Sequence, residues 1–504
     1  MRSEDFGYGV LSATNDSVAV FEQRRNDGDG LVDRFVVTRR DGLRSRSFKA
    51  DDDSTALLAG CRCTDVSDAC WPSAAAWGTL NHSVGGRLGR GATTNPLAAC
   101  ASPDAGAECG LALNRSSMTE YYNQEWASGF QNTGGGSLTD ETGWAARPSE
   151  YVVMAASADD IAATVRFAVR YNLRLIVLGA GHDYLGRNTA SAPGSLMLST
   201  KSIRGLTWAD DNSSVTVAAG ETWGAVYAQA QARAKYVQGG HCPSVGAAGG
   251  FTLGGGFGPN SRGYGTAAEN VLSATVVTAD GEVVNATTNE NADLFWALRG
   301  GGYGFGILAE VTYRAYPAAA SGGYTSGAIS CDSESSFAVL LAGFLAFLPS
   351  LLNQHWGEVV SLGIDGSAWG ISFTPQYIML TQPEAMAQLQ PLLRLVEQTP
   401  RCRWADPLRL EPMEPVTTDD ATVVARQYPY KGWYYPKTGV AAVDDEPSHW
   451  VVGGFLGQLN GYWTGYLSRW VPLADLQQQP AAVAERMLPL IKLAPPWLFQ
   501  LRLK

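Results

Sequence analysis

The sequence predicts an α+β protein built from more than one unit. Three observations carry that reading. The chain has 504 residues, and one domain usually takes about 100–200. From Tyr151 to Leu178 the pattern runs strand, helix, strand. Beyond Pro317 it changes to aromatic, alternating strands with helices between them, the texture of an antiparallel sheet covered on one side.

The elements follow in order. Residues 1–57 form an N-terminal extension in which SVAVFEQRR and LVDRFVVTRR alternate around NDGDG, the signature of a hairpin. Residues 58–145 are loop-rich and cysteine-containing, with turns marked by GRGATTNP and TGGGS. Regular patterning occupies 146–318. YVVMA is a strand, Ser157 and Asp160 make an S-x-x-D capping box, and Ile161, Val165, Ala168 and Val169 recur at helical spacing. LRLIVL is the next strand, SVTVAA another, and TWGAVYAQAQARA a further helix. SATVVT and VVNAT flank the turn ADGE, NADLFWALRG is a short helix stopped by Gly300, and ILAEVTYRAYP is a strand. Residues 319–504 hold the strands HWGEVVSLGI and AWGISFTPQYIML and the helix PEAMAQLQPLLRLVEQ. The longest apolar run, Phe337 to Leu348, falls short of the roughly 20 residues of a spanning helix. It reads as a buried helix capped by Ser335 or Ser336, and no membrane is expected as a partner.

A formal net charge of -11 sets the chain against phosphate backbones, so no nucleic-acid partner is expected. Of eight cysteines, Cys61, Cys63, Cys70, Cys100 and Cys109 crowd one segment, Cys331 and Cys402 lie far downstream, and Cys242 stands among glycines. The five histidines are scattered, without zinc-ligand spacing, so no metal site is expected. Disulfides in an oxidising compartment are the better reading. N-x-S/T motifs at Asn15, Asn81, Asn114, Asn212 and Asn285 are compatible with secretion, although MRSEDFGYGV shows no signal-peptide core.

Two glycine-rich stretches stand out. LGAGHDYLGR, Leu178 to Arg187, follows an apolar strand and opens with G-x-G. It lacks the third glycine of a dinucleotide fingerprint, and no helix follows, so a nicotinamide site is a weak reading. The second, GGHCPSVGAAGGFTLGGGFGPNSRGYG, runs from Gly239 to Gly265. So many glycines bring backbone close to a flat or charged ligand. The first stretch carries His182 and the second Cys242, nucleophiles able to bond an electrophilic cofactor.

These stretches, with YGTAAENVL and ALRGGGYGFGI, resemble the PCMH-type flavin-binding domain of the vanillyl-alcohol oxidase superfamily, and within it the berberine-bridge-enzyme-like oxidases. CRC…ACWPS…VGGRL, Cys61 to Leu88, resembles the N-terminal segment of its secreted fungal-type members. The resemblance covers about residues 58–500. It implies a two-subdomain FAD-binding domain followed by a substrate domain whose antiparallel sheet is flanked by helices. It implies FAD held twice, by His182 at the 8α-methyl carbon and by Cys242 at C6 of the ring. Gly179, Ala180, Gly181 and Asp183 would cradle the pyrophosphate with backbone N–H groups. Gly246, Gly249 and Gly250 would pass close to the cofactor, and Asn270, Val271 and Ile307 would line its site. Val245 matches the oxygen-gate position, where a small side chain leaves room for O2. Tyr184 matches an active-site tyrosine, and Tyr428 and Tyr430 offer phenols in the substrate domain, so these three are the candidate catalytic groups. Phe257 stands where relatives often carry Tyr or His, and it transfers no proton. The implied function is a secreted oxidase acting on a small-molecule substrate and O2 to give H2O2. A flavin dehydrogenase with another acceptor and a flavin-binding remnant without turnover are the rivals. The family pattern continues past Lys504 into the pocket, so a chain extended in frame is expected to be the better-behaved protein.

Overall fold

In the computed structural model the described residues are 7–15, 18–25, 31–38, 63, 65–90, 149–180, 194–240, 245–365, 368–412, 434–435, 451–452, 471–493 and 499–503. The chain divides into two compact units, Met1–Leu58 and Ala59–Lys504. The first is a meander of β1 (Gly7–Asn15), β2 (Val18–Arg25) and β3 (Leu31–Thr38), each antiparallel to the next. The hairpin expected around NDGDG is β2–β3. β1 adds a third strand that its small residues, GYGVLSATN, do not announce.

The second unit contains three larger sheets. In the first, α1 (Ala74–Ser83) precedes β4 (Leu88–Arg90), β5 (Tyr151–Met154), α2 (Ala158–Arg170), β6 (Arg174–Leu178) and β7 (Ser195–Ser199). The order is β4-β5-β7-β6. β7 runs parallel to both β5 and β6, while β4 is antiparallel to β5. α1 is thus a helix inside a stretch expected to be loop, capped by the Ser73 hydroxyl, which accepts from Ala76 N at 3.2 Å. The expected capping box opens α2. Ser157 Oγ accepts from Asp160 N at 3.2 Å, but the Asp160 carboxylate accepts from Ala156 N (2.8 Å) instead of from the cap residue. The same carboxylate holds the Arg87 guanidinium at 2.6 Å, so the cap also pins the approach to β4. Trp77 of α1 stacks on Tyr151 of β5 with centroids 4.1 Å apart.

The second sheet contains β8 (Leu206–Trp208), β9 (Ser214–Ala218), β10 (Lys235–Val237), β11 (Val271–Val277), β12 (Val283–Ala286) and β13 (Ile307–Pro317). Its order is β12-β11-β13-β9-β8, with β10 also on β13, and every pairing is antiparallel. α3 (Trp223–Gln231), the single turns α4 (Gly250–Leu253) and α5 (Ser261–Tyr264), and α6 (Ala292–Leu298) lie between these strands in the chain. Val215, Val217, Val276, Val311 and Tyr313 of the strands share one core with Trp223 and Phe295 of the helices.

The third sheet joins β14 (Gly322–Cys331), β15 (Trp356–Asp365), β16 (Ala368–Phe373), β17 (Gln376–Ile378), β18 (Cys402–Pro412) and β21 (Phe499–Leu503), again all antiparallel. Between β18 and β21 a small pair, β19 (Tyr434–Tyr435) and β20 (Val451–Val452), stands by itself. Alternate residues of the large sheet, such as Val360, Leu362, Ile371 and Phe373, pack in one core with α7 (Glu334–Phe347), α8 (Gln382–Gln398) and α10 (Pro480–Leu493). α9 (Leu473–Gln478) adds Leu476 to it. This is the antiparallel sheet covered on one side that the texture predicts, and the whole is α+β. Two details differ. α7 is capped by Ser333, whose Oγ accepts from Ser336 N at 3.2 Å, two or three residues before the expected serines. The run AWGISFTPQYIML is two strands, divided at Pro375, which has no N–H to give a ladder. The stretch Glu334–Leu351 is long and apolar enough to cross a membrane. Phe337, Leu340, Leu341, Phe344 and Leu345 within it are nonetheless buried in the core of this sheet.

Candidate functional site

The three parallel strands of the first sheet end along one edge. Leu178 O accepts from Thr200 N (3.0 Å) and Ser199 O accepts from Ala155 N (2.9 Å), so the ends of β5, β7 and β6 are in line. Ligands of open α/β sheets bind outside such carboxyl ends. The first glycine loop leaves from this edge. A Cβ placed on Gly179 meets no described protein atom within 4 Å, so the backbone here is open to close approach. Gly181, His182, Asp183 and Tyr184 lie outside the described residues, as do Cys242, Tyr428 and Tyr430.

The second glycine loop is strapped to the turn that opens α3. Val245 O accepts from Trp223 N (3.0 Å), and Ala247 N donates to Glu221 O (2.9 Å), with Thr222 and Gly246 as an antiparallel bridge. Tyr313 OH donates to Ala247 O at 2.6 Å from the sheet below. Burial pushes the Tyr313 phenol well above the usual tyrosine range, so it remains a neutral donor. Gly246 is where the two loops meet. A Cβ there would lie 3.3 Å from Ala180 Cβ and 3.6 Å from Ala180 N, and any larger side chain would push the loops apart. Gly249 and Gly250, at the start of α4, leave open space as Gly179 does.

Glu221 holds this junction, and nothing in the sequence singles it out. Its Oε1 accepts from Gly205 N (2.8 Å), its Oε2 pairs with Arg204 (3.6 Å), and its carbonyl takes the second loop. The one available signal is an acid in the short turn between the apolar strand β9, which ends at Ala218, and α3, which begins at Trp223. The remaining expected residues are spread along the second sheet. Ile307 pairs with Val277 at the start of β13, near Ala309, whose carbonyl accepts from Ala219 N at 2.9 Å beside the junction. Val271 pairs with Tyr313 toward the other end of the same ladder. Six residues of strand separate these ends, about 20 Å. Gly179, Ala180 and Gly246 therefore form one cluster with Val245, and Ile307 is near it. Val271 packs in one core with Ala247, next to Gly246, and its ladder partner Tyr313 is the residue that reaches Ala247 O. Asn270 is buried, and both hydrogens of its side-chain amide are committed, to Tyr264 O and Thr266 O at 2.8 Å each. Tyr316 OH donates to its oxygen at 2.7 Å.

Two disulfides occur among the described residues, Cys63–Cys70 and Cys331–Cys402. The second joins facing residues of β14 and β18. Cys63 and Cys70 approach Asp68 closely, but as a disulfide they offer no thiolate to a metal ion.

Residues 149–287 match the FAD binding domain family. The chain is 36% identical over 301 residues to the FAD-linked oxidoreductase ZEB1 of Gibberella zeae, covering 55% of this chain and 51% of that protein. It is 34% identical over 324 residues to the FAD-linked oxidoreductase malF of Malbranchea aurantiaca, covering 58% and 53%. The chain thus spans about half the length of the curated relatives it matches. Its fold is similar to that of the VAO-type flavoprotein MtVAO615 from Myceliophthora thermophila C1, with a TM-score of 0.65 at 23% identity over 86% of this chain and 76% of that one. The VAO-type flavoprotein MtVAO713 of the same organism gives a TM-score of 0.58 at 25% identity over 70% and 67%.

Proposed function

We propose that this chain is a flavin-linked oxidase of small molecules, a reading supported by the match of residues 149–287 to the FAD binding domain family and by a fold similar to that of VAO-type flavoproteins. When bound, FAD supplies the redox chemistry, taking a hydride from a carbon that bears a hydroxyl or an amine and giving the electrons to O2 as H2O2. The protein binds and orients it. The observation that carries this reading is the meeting of the two glycine loops at Ala180 and Gly246. His182 is two residues beyond Ala180 and Cys242 four before Gly246. At about 3.5 Å of chain per residue, they stay within about 7 Å and 14 Å of that junction. Both nucleophiles are thus within reach of one ring, and by the resemblance His182 would hold its 8α-methyl carbon and Cys242 its C6.

The described residues fit the group. Gly179, Gly249 and Gly250 leave room for a ligand against bare backbone, and the N–H groups from Gly179 to Asp183 would bind its pyrophosphate. Asn270 shapes the turn from Tyr264 to Thr266 with its side chain, and its own N–H goes to Ala267 O at 3.0 Å, so its part toward the cofactor would be to hold this turn, with Val271 beside it. Val245, packed against the core of the second sheet, is the small side chain that leaves O2 a path. Proton removal from the substrate falls to Tyr184, Tyr428 or Tyr430. The disulfides Cys63–Cys70 and Cys331–Cys402 support an oxidising, secretory setting.

Purified protein challenged anaerobically with a panel of alcohols, sugars and amines tests the reading. One class should bleach the flavin absorbance, and admitting air should restore it with release of H2O2. Bleaching that only an added acceptor reverses would make the protein a dehydrogenase. A loaded flavin that no donor bleaches would leave it a binding protein without turnover.

A further inference from the structure

The N-x-S/T motifs take no part in the redox reading, and the described residues treat them differently. Asn81 is half-buried in α1, and its Oδ1 accepts from Leu88 N at 3.1 Å. Asn285 is exposed on β12, the edge strand of the second sheet. Its Oδ1 receives only a 3.4 Å contact from the Thr275 hydroxyl, and its Nδ2 makes no hydrogen bond among the described residues. Thr287, two residues on, accepts from Asn289 N (3.1 Å) and Glu290 N (2.9 Å), so the strand turns immediately after the motif. Asn285 also borders a polar trough of about 290 Å³, which Thr216, Ser273, Thr275, Glu290, Glu310 and Thr312 help to line. The Thr216 and Thr312 hydroxyls bond each other at 2.9 Å on its floor, and hydroxyls and carboxylates are the groups that hydrogen-bond an amino sugar.

We propose that Asn285 is an N-glycosylation site and that its first N-acetylglucosamine lies in this trough. In the transfer, Asn285 Nδ2 attacks the anomeric carbon of a lipid-pyrophosphate-linked oligosaccharide. The N–C bond forms, the C–O bond to pyrophosphate breaks, the amide gives up one proton and the lipid pyrophosphate leaves. No oxidation occurs. The proposal rests on the secretory setting and not on the flavin.

The full chain, sent into the secretory pathway of yeast behind a host leader, is the test, scored on leader-cleaved protein so that targeting is not in question. Peptide-N-glycosidase in water enriched in the heavy oxygen isotope converts each occupied Asn to an Asp that carries the isotope in its carboxyl group. The label is expected at Asn285 in more than half of the chains, whatever their flavin content, and Asn285→Gln should abolish that peptide's label alone. An unlabelled Asn285, or labelling confined to Asn81, would overturn the proposal. For the trough, Thr312→Phe should fill it and speed glycan release from the native protein several-fold. Equal release rates would remove the trough from the assignment.

Discussion

His182 and Cys242 each carry an expectation that a single denaturation settles. The wild-type protein should stay yellow in an acid precipitate. His182→Ala and Cys242→Ala should each keep the flavin by the remaining bond, and the double variant should release FAD to the supernatant. Wild-type flavin that washes out with acid would disprove the double attachment. Val245 tests a neighbouring idea. Val245→Leu adds one methylene at the proposed oxygen path, so stopped-flow reoxidation should slow about tenfold while flavin reduction changes less than twofold. Equal reoxidation rates would remove the gate. His182 and Cys242 stand out in the sequence because a histidine and a cysteine are chemically out of place among glycines. Glu221 does not, because its role comes from Gly205, Arg204 and Ala247, which only the fold brings to it. Asn270 points the other way. The resemblance places it along the cofactor, and the structure spends its side chain on the protein's own turn.

Among the elements, α7 separates buried from exposed apolar positions within one turn. Leu341 is 0% exposed and Val339 60% exposed. Leu341→Ala should cost about 3 kcal/mol of unfolding free energy, and Val339→Ala about 0.5 kcal/mol or less. Urea denaturation of the two variants measures the difference, and equal losses would mean that α7 is not the core helix described. The helix itself was readable from its apolar run. Its cap was not, because SESSF offers three serines and the backbone turn, not composition, decides which hydroxyl meets a free N–H. α1 was hidden for another reason. Its sequence AAAWGTLNHS buries only Ala76, Trp77 and Leu80, too few to draw a helical stripe. β7 was hidden because all five of its residues are buried, so it shows no alternation.

For the whole molecule, mixed helices and antiparallel strands were legible as texture, whereas strand order was not. The consecutive strands β5 and β6 are separated by β7, which arrives later in the chain. The division into Met1–Leu58 and Ala59–Lys504 has its own test. Deleting residues 1–58 should leave flavin content per chain unchanged and the melting temperature within about 3 °C, a change worth roughly 1 kcal/mol or less. Loss of flavin on deletion would show that the two units depend on each other. A final consequence concerns the seam where β4 meets β5. The segment ending at Arg90 and the segment beginning at Ser149 hold each other through the Leu88–Val153 ladder, the Arg87–Asp160 ion pair and the stacking of Trp77 on Tyr151. None of these contacts is a covalent bond along the chain. The protein should therefore tolerate being made as two polypeptides, divided between these segments. An affinity tag on the first should retrieve the second, and a second polypeptide that stays in the unbound fraction would show that the seam does not hold without the chain that joins its sides.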